Sequence, residues 1–223
     1  DSYTSPAGRR STHPLDVDGV DLRGRRRDSP SRREAERVTP LDVALAVARA
    51  LETAGVDYFL GGSMASSFQG HPRLTNDLDF VVDLRAQDIE ALKTALGPDF
   101  DVDEIALLEA VHRKASWNIF HLPTVTRIDL FVAKSGDYDT EEFQRRQTYE
   151  VLPGQRLFLK SAEDSVLRKL LWFQAGAESN SQQLRDVVEI LRVQGAKLDE
   201  AYLAKWSSQL NISQLLLRAK ASI

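Results

Sequence analysis

The stretch Leu60-Gly61-Gly62-Ser63, followed after thirteen residues by Asp77-Leu78-Asp79-Phe80, constrains this chain more than any other. Two acids set two residues apart and interleaved with large apolar side chains suit a β-strand with one buried face. Alternate side chains of a strand share a face, so Asp77 and Asp79 point together while Leu78 and Phe80 enter a core. Far downstream, Ile128-Asp129-Leu130 repeats the pattern around a single acid. If the two strands are neighbours, three carboxylates converge on one face of a sheet.

Such carboxylates repel one another and raise one another's pKa. Divalent cations relieve the repulsion, and all-oxygen ligation selects hard ions, Mg2+ or Mn2+ rather than zinc. Two such ions about 3.5–4 Å apart serve in-line displacement at phosphorus. The Gly61-Gly62-Ser63 turn offers the other half of a phosphate site. Glycines admit close backbone approach, and a helix starting at Ser63 would present free N–H groups and the positive end of its dipole.

Gly-Gly-Ser, Asp-hydrophobic-Asp and hydrophobic-Asp-hydrophobic, in that order, resemble the DNA polymerase β-like nucleotidyltransferase superfamily over roughly residues 40–135. Arg73-Leu-Thr75-Asn-Asp77-Leu-Asp79, the helix from Glu163-Asp164 to Lys169, and Arg185-Asp186 are similar to the bacterial AbiEii- and MenT-like toxin nucleotidyltransferases. The resemblance implies an α/β (α+β) fold: a nucleotidyltransferase core with a mixed sheet flanked by helices, plus a C-terminal helical subdomain. It implies NMP transfer from an NTP to an acceptor hydroxyl, most naturally the 3′ end of an RNA such as tRNA. The biological role would be that of a toxin or abortive-infection enzyme with a possible cognate antitoxin. Asp77, Asp79 and Asp129 would hold two Mg2+ (or Mn2+) ions. Gly61, Gly62 and Ser63 would bind the nucleotide, with Arg73, Lys169 and Asp186 beside them. Transfer to an aminoglycoside-like small molecule or to a protein side chain, and a non-catalytic nucleotide-binding member, are the alternatives.

Lys169 can be weighed on a helical wheel. At 100° per residue it falls on the margin of the apolar stripe formed by Val166, Leu170 and Phe173, from where it can snorkel towards the core domain. Arg168 falls on the far side and is expected to face water. Asp186 and Arg185 lie similarly far from the apolar centre of their own helix, on opposite sides, so the wheel selects neither, and a surface ion pair is the plain alternative. Trp172 falls on the exposed side of the Lys169 helix.

Of the 223 residues, 42% are hydrophobic and 28% charged, the proportions of an ordinary globular protein. There are no cysteines, so disulfides, thiolate metal sites and cysteine nucleophiles are excluded. No run of about 18 uncharged apolar residues is present to span a bilayer. The first 15 residues lack the apolar core of a signal peptide, so a cytoplasmic location is expected. Residues 1–39 carry a net charge of +2 and the remainder −6, which argues against non-specific duplex binding over a broad basic face.

Three segments are expected. Residues 1–38, rich in Arg, Ser and Pro, read as a flexible basic arm. Residues 39–160 read as the core, opening on the Thr39-Pro40 helix start. Strands are expected at 56–60, 78–82, 117–122, 125–132 and across 148–159, and helices at 86–96, 104–115 and around 140–146. Residues 161–223 read as helical throughout, with helices at 162–176, 181–193 and 199–221, the last broken near Asn211.

Overall fold

The computed structural model describes residues 38–72, 75–177 and 181–223, all within one compact unit, Val38–Ile223. The arm expected over residues 1–38 therefore falls outside the described residues except for Val38. Helix α1 (Pro40–Thr53) opens as expected: the Thr39 side chain accepts from the Asp42 N–H, and the Asp42 carboxylate accepts in return from the Thr39 N–H.

A seven-stranded mixed sheet follows, in the order β3-β4-β5-β2-β1-β7-β6. Its members are β1 (Tyr58–Leu60), β2 (Leu78–Val82), β3 (Phe100–Asp101), β4 (Ser116–His121), β5 (Thr126–Val132), β6 (Gln147–Leu152) and β7 (Gln155–Leu159). The centre is set by β2, which runs antiparallel to β1 and parallel to β5. β3 carries no sequence signal, because two residues are too few to show an alternation.

The period-two pattern decides which face is which. Leu78, Phe80 and Val82 of β2 and Ile128, Leu130 and Val132 of β5 are buried. They share one cluster with Val43, Val47 and Leu51 of α1, Ile89 and Leu92 of α3 (Ile89–Leu96), and Leu107 of α4 (Glu104–Arg113). Each such fully buried side chain contributes about 1.5–3 kcal/mol. The alternate residues Asp79, Val81, Asp129 and Phe131 project from the other face and are only half-buried. One face is sealed by helices, and the other carries the acids.

Helix α2 (Gly62–Gln69) leaves β1 directly, and α5 (Asp137–Gln144) follows β5 with Asp137 and Asp139 in its first turn. From Ser161 the chain is helical: α6 (Ala162–Ala175), α7 (Ser181–Gln194), α8 (Glu200–Gln209) and α9 (Ser213–Lys220). The Ser161 side chain caps α6 by accepting from the Asp164 N–H. Asn211, at φ 58°, makes the break between α8 and α9. Val166, Leu170, Val187, Leu203 and Trp206 join a second apolar cluster that includes Tyr138 of α5. Among the described residues no helix is long and apolar enough to cross a membrane.

Candidate active site

The glycine turn is locked to the acidic strand. The Gly61 N–H donates to the Asp79 carbonyl at 2.7 Å, which holds the end of β1 against the start of β2. Gly62, the first residue of α2, sits at φ +56°, and a Cβ there would lie 1.8 Å from Oδ2 of Asp79. Only glycine lets the chain turn over this carboxylate without displacing it.

The parallel pairing of β2 with β5 places Asp79 directly beside Asp129. Asp77 lies just before β2, exposed. All three carboxylates line one cavity of about 260 Å3 with Gly62, Ser63 and Lys169. Burial, then the neighbouring Asp129 and Asp77, push the Asp79 carboxyl above the usual aspartate value, against the opposing pull of Lys160 and Lys169. This is the repulsion expected of an acidic cluster.

Among the described residues no three His, Asp or Glu side chains are gathered tightly enough to enclose a metal ion ready-made. The donor set nonetheless fits one kind of ion. It consists of carboxylate oxygens without sulfur or imidazole, and its most buried member carries a charge that a bound cation would relieve.

Lys169 is more deeply placed than a stripe margin suggests. It is 4% exposed, and its Nζ donates to Asp186 Oδ2 at 2.7 Å and to Gln183 Oε1 at 3.2 Å. Asp186 is buried as well and also accepts from Gln182 Nε2. Arg185 instead stays exposed, bonded to Ser181 and Gln182 on its own helix. The choice the wheel left open is therefore made by packing: α7 lies against α6 with Asp186 inwards. Asp186 does not line the carboxylate cavity and reaches it through Lys169. It lines instead a larger cavity, about 860 Å3 along α7. That cavity is bigger but lacks the three acids that the smaller one brings together.

Arg168 does not face water. It donates from Nε and Nη2 to Glu142 at 2.5–3.0 Å and from Nη2 to Asp139 at 2.5 Å, and lies over the Tyr138 ring. A wheel sees only its own helix, and here α5 packs against the side that the wheel left empty. Glu142 also pairs with Lys160 at 3.2 Å, both nearly buried. Burial would raise the Glu142 carboxyl, but the Lys160 ammonium and the Arg168 guanidinium together hold it below its usual value.

Lys160 and Ser165 are site residues that sequence reasoning missed. The Lys160 ammonium lies 3.5 Å from where a Gly61 Cβ would be. It arrives there because β7 pairs with β1 at Leu60 and Leu159, a register the local sequence does not announce. The Ser165 hydroxyl is buried, has no hydrogen-bond partner among the described residues, and borders a small void with Gly62, Lys160 and Lys169. Gly61 borders a second cavity of about 240 Å3, on the Val81 and Phe131 side of Asp79. Trp172 stands at the mouth of both cavities, 46% exposed. Arg73 lies outside the described residues.

No family model matches the chain, and no curated protein matches it in sequence. Solved structures do match in fold. The antibiotic-resistance factor ANT(2'')-Ia in solution is 15% identical, with 80% of this chain and 97% of that chain covered at a TM-score of 0.50. An antigenic nucleotidyltransferase-like protein from Paracoccidioides brasiliensis is 20% identical, covering 81% and 91% at 0.43. The crystal structure of ANT(2")-Ia in complex with adenylyl-2"-tobramycin is 13% identical, covering 75% and 96% at 0.47. The mixed seven-stranded sheet flanked by helices is thus a fold that this chain shares with ANT(2'')-Ia.

Proposed function

We propose that this protein transfers a nucleoside monophosphate from an NTP to an acceptor hydroxyl. The observation that carries the reading is the in-register pairing of Asp79 with Asp129 under the Gly62 turn, on a nucleotidyltransferase fold. Asp77, Asp79 and Asp129 would hold divalent cations, Mg2+ or Mn2+, which would supply charge neutralisation to the triphosphate and polarise its α-phosphorus. The Gly62-Ser63 turn and the start of α2 receive the β- and γ-phosphates. Lys169, fixed by Asp186 and Gln183, adds a preorganised positive charge for the pyrophosphate that leaves. Asp129 accepts the proton of the acceptor hydroxyl. The acceptor oxygen forms a bond to the α-phosphorus, the bond from that phosphorus to the bridging oxygen breaks, and pyrophosphate departs.

The motif resemblance favours an RNA 3′ end, tRNA above all, as acceptor, and with it a toxin-type role in the cytoplasm, an antitoxin partner, and Arg73 as a further phosphate ligand. Incubating the protein with Mg2+, each labelled NTP in turn and total tRNA tests this. Label should enter RNA only with intact Asp79 and Asp129, with release of pyrophosphate. Label in RNA from an Asp79→Asn variant at the wild-type rate would remove the reading.

A further inference from the structure

The open face of the sheet continues beyond Asp129. In the antiparallel pairing of β4 with β5, Asn118 lies opposite Asp129 and Phe120 opposite Arg127. Directly opposed residues project from the same face, so Asp129, Arg127, Asn118 and Phe120 form one surface. Their neighbours Ile119 and Ile128 are buried on the other face. Arg127 donates from Nε to Asp129 Oδ1 at 2.8 Å and from Nη2 to Asn118 Oδ1 at 3.3 Å. Its side chain is nonetheless 53% exposed, and a guanidinium has five N–H donors, more than these two bonds use. Phe120, an aromatic ring on a strand, is 36% exposed beside it.

We infer that Arg127, Asn118 and Phe120 form the acceptor subsite, and that they select the end of a single-stranded polynucleotide. The inference rests on the nucleotidyl-transfer reading and on the direction it imposes. Attacking and leaving oxygens lie on opposite sides of the phosphorus in an in-line displacement. The leaving pyrophosphate sits at Gly62 and Ser63, next to β1. The sheet order runs from β1 through β2 (Asp79) and β5 (Asp129) to β4, so the acceptor arrives over β5 and β4.

The first groups it meets are a cation, an amide and an exposed ring. A guanidinium pairs with phosphate in a fork, and an aromatic ring stacks any base, which together suit a nucleic-acid strand. A polycationic amine would meet Arg127 as a like charge. The surface is small, which matches the acidic balance of the remaining chain: it holds one strand end and not a duplex. Arg127 also neutralises Asp129 in the free protein, so the third carboxylate and the acceptor's phosphate share one guanidinium.

The test is binding, not turnover. A fluorescein-labelled single-stranded oligoribonucleotide with a free 3′ hydroxyl is titrated against the full chain at several salt concentrations, with tobramycin as the polycationic probe. Thermal shift with NTP and Mg2+ runs alongside. Arg127→Ala should weaken oligonucleotide binding about tenfold and lower the salt slope by about 1, the mark of a lost phosphate contact. Arg127→Lys should restore the slope and only part of the affinity. Phe120→Ala should weaken binding several-fold with the slope unchanged, as for a lost stacking contact. All variants should still respond to NTP. Oligonucleotide affinities within twofold of wild type in both Ala variants, with the NTP response intact, would overturn the subsite. So would tobramycin binding that strengthens in Arg127→Glu while the oligonucleotide fails to bind wild type. A wild type that ignores NTP would overturn the transfer reading, and with it the direction of approach.

Discussion

Gly62 and Asp79 stand so close that position 62 has no room for a side chain: a Cβ on the first would stand 1.8 Å from a carboxylate oxygen of the second. The turn that would receive phosphate and the carboxylate that would hold a cation are therefore a single steric unit. Its glycine is required twice, by this contact and by a φ of +56°.

Gly62→Ala should cost about 1–2 kcal/mol from the left-handed backbone alone. Asp79 must also move, and a displacement of about 1 Å at a reacting centre costs on the order of 10²-fold in rate. Thermal melts and transfer assays of this variant check both. Wild-type transfer by the Gly62→Ala protein would show that Asp79 need not stand where it does.

Asp79→Asn should stabilise the metal-free protein. Burial and the neighbouring Asp129 and Asp77 raise the Asp79 carboxyl above its usual 3.8. A raised carboxyl contributes stability below its unfolded value and loses it as pH rises through the folded value, so at pH 7 the ionised group is a net cost. Melts in EDTA at pH 7 should rise by about 2–4 °C for each kcal/mol relieved. Adding Mg2+ should raise the melting temperature of the wild type and leave Asp79→Asn unmoved. A lower melting temperature for Asp79→Asn in EDTA contradicts the repulsion.

Glu142 should show the opposite sign. Burial acts to raise it, but Lys160 and Arg168 hold it below its usual 4.5. Its contribution is present above that value and is lost as pH falls through the lowered one. Glu142→Gln takes the nearly buried carboxylate from Lys160 and leaves Arg168 with Asp139 alone of its two acids, and should cost about 3–5 kcal/mol at pH 7. The gap from wild type should narrow below pH 4.5. A constant gap from about pH 7 to about pH 3 in denaturant titrations would show that the pairing carries no such weight.

Under the proposed function Lys169 would serve both stability and chemistry, and a double variant separates them. Lys169→Ala takes the paired ammonium from the buried Asp186 carboxylate and should lose both stability and, by about 10²–10³-fold, transfer. In Lys169→Ala with Asp186→Ala the buried carboxylate is gone as well, so stability should return in large part while transfer stays low. Recovery of transfer in the double variant would reduce Lys169 to a structural role. Arg168→Ala should destabilise rather than act as a silent control, since it abandons Glu142 and Asp139.

Most elements of the fold were legible because they rest on periodicities a few residues long. The alternation in Leu78-Asp79-Phe80 and Ile128-Asp129-Leu130 declares strands with one acidic face, and Thr39-Pro40 and Ser161 declare helix starts. The pair of residues in β3 was not legible, since its only reason to be extended is the partner strand β4.

By itself, the sequence determined which residues share a face of each strand or helix, because a backbone of period 2 or 3.6 leaves no other choice. Which faces meet was decided by tertiary structure alone. Nothing local says that β5 lies beside β2 in the register that pairs Asp129 with Asp79, or that β4 brings Asn118 to the same carboxylate. Asp186 and Arg185 look similarly far from their apolar stripe, yet Asp186 alone of the two meets Lys169, and Arg168, expected in water, is claimed by α5. Lys160 enters the site only because β7 pairs with β1 at Leu60. For Arg168, Asp186 and Lys160 the physical reason is the same. A buried charge is tolerated only where an opposite charge from another element reaches it, and chain separation hides that partner from any reading of neighbours in sequence.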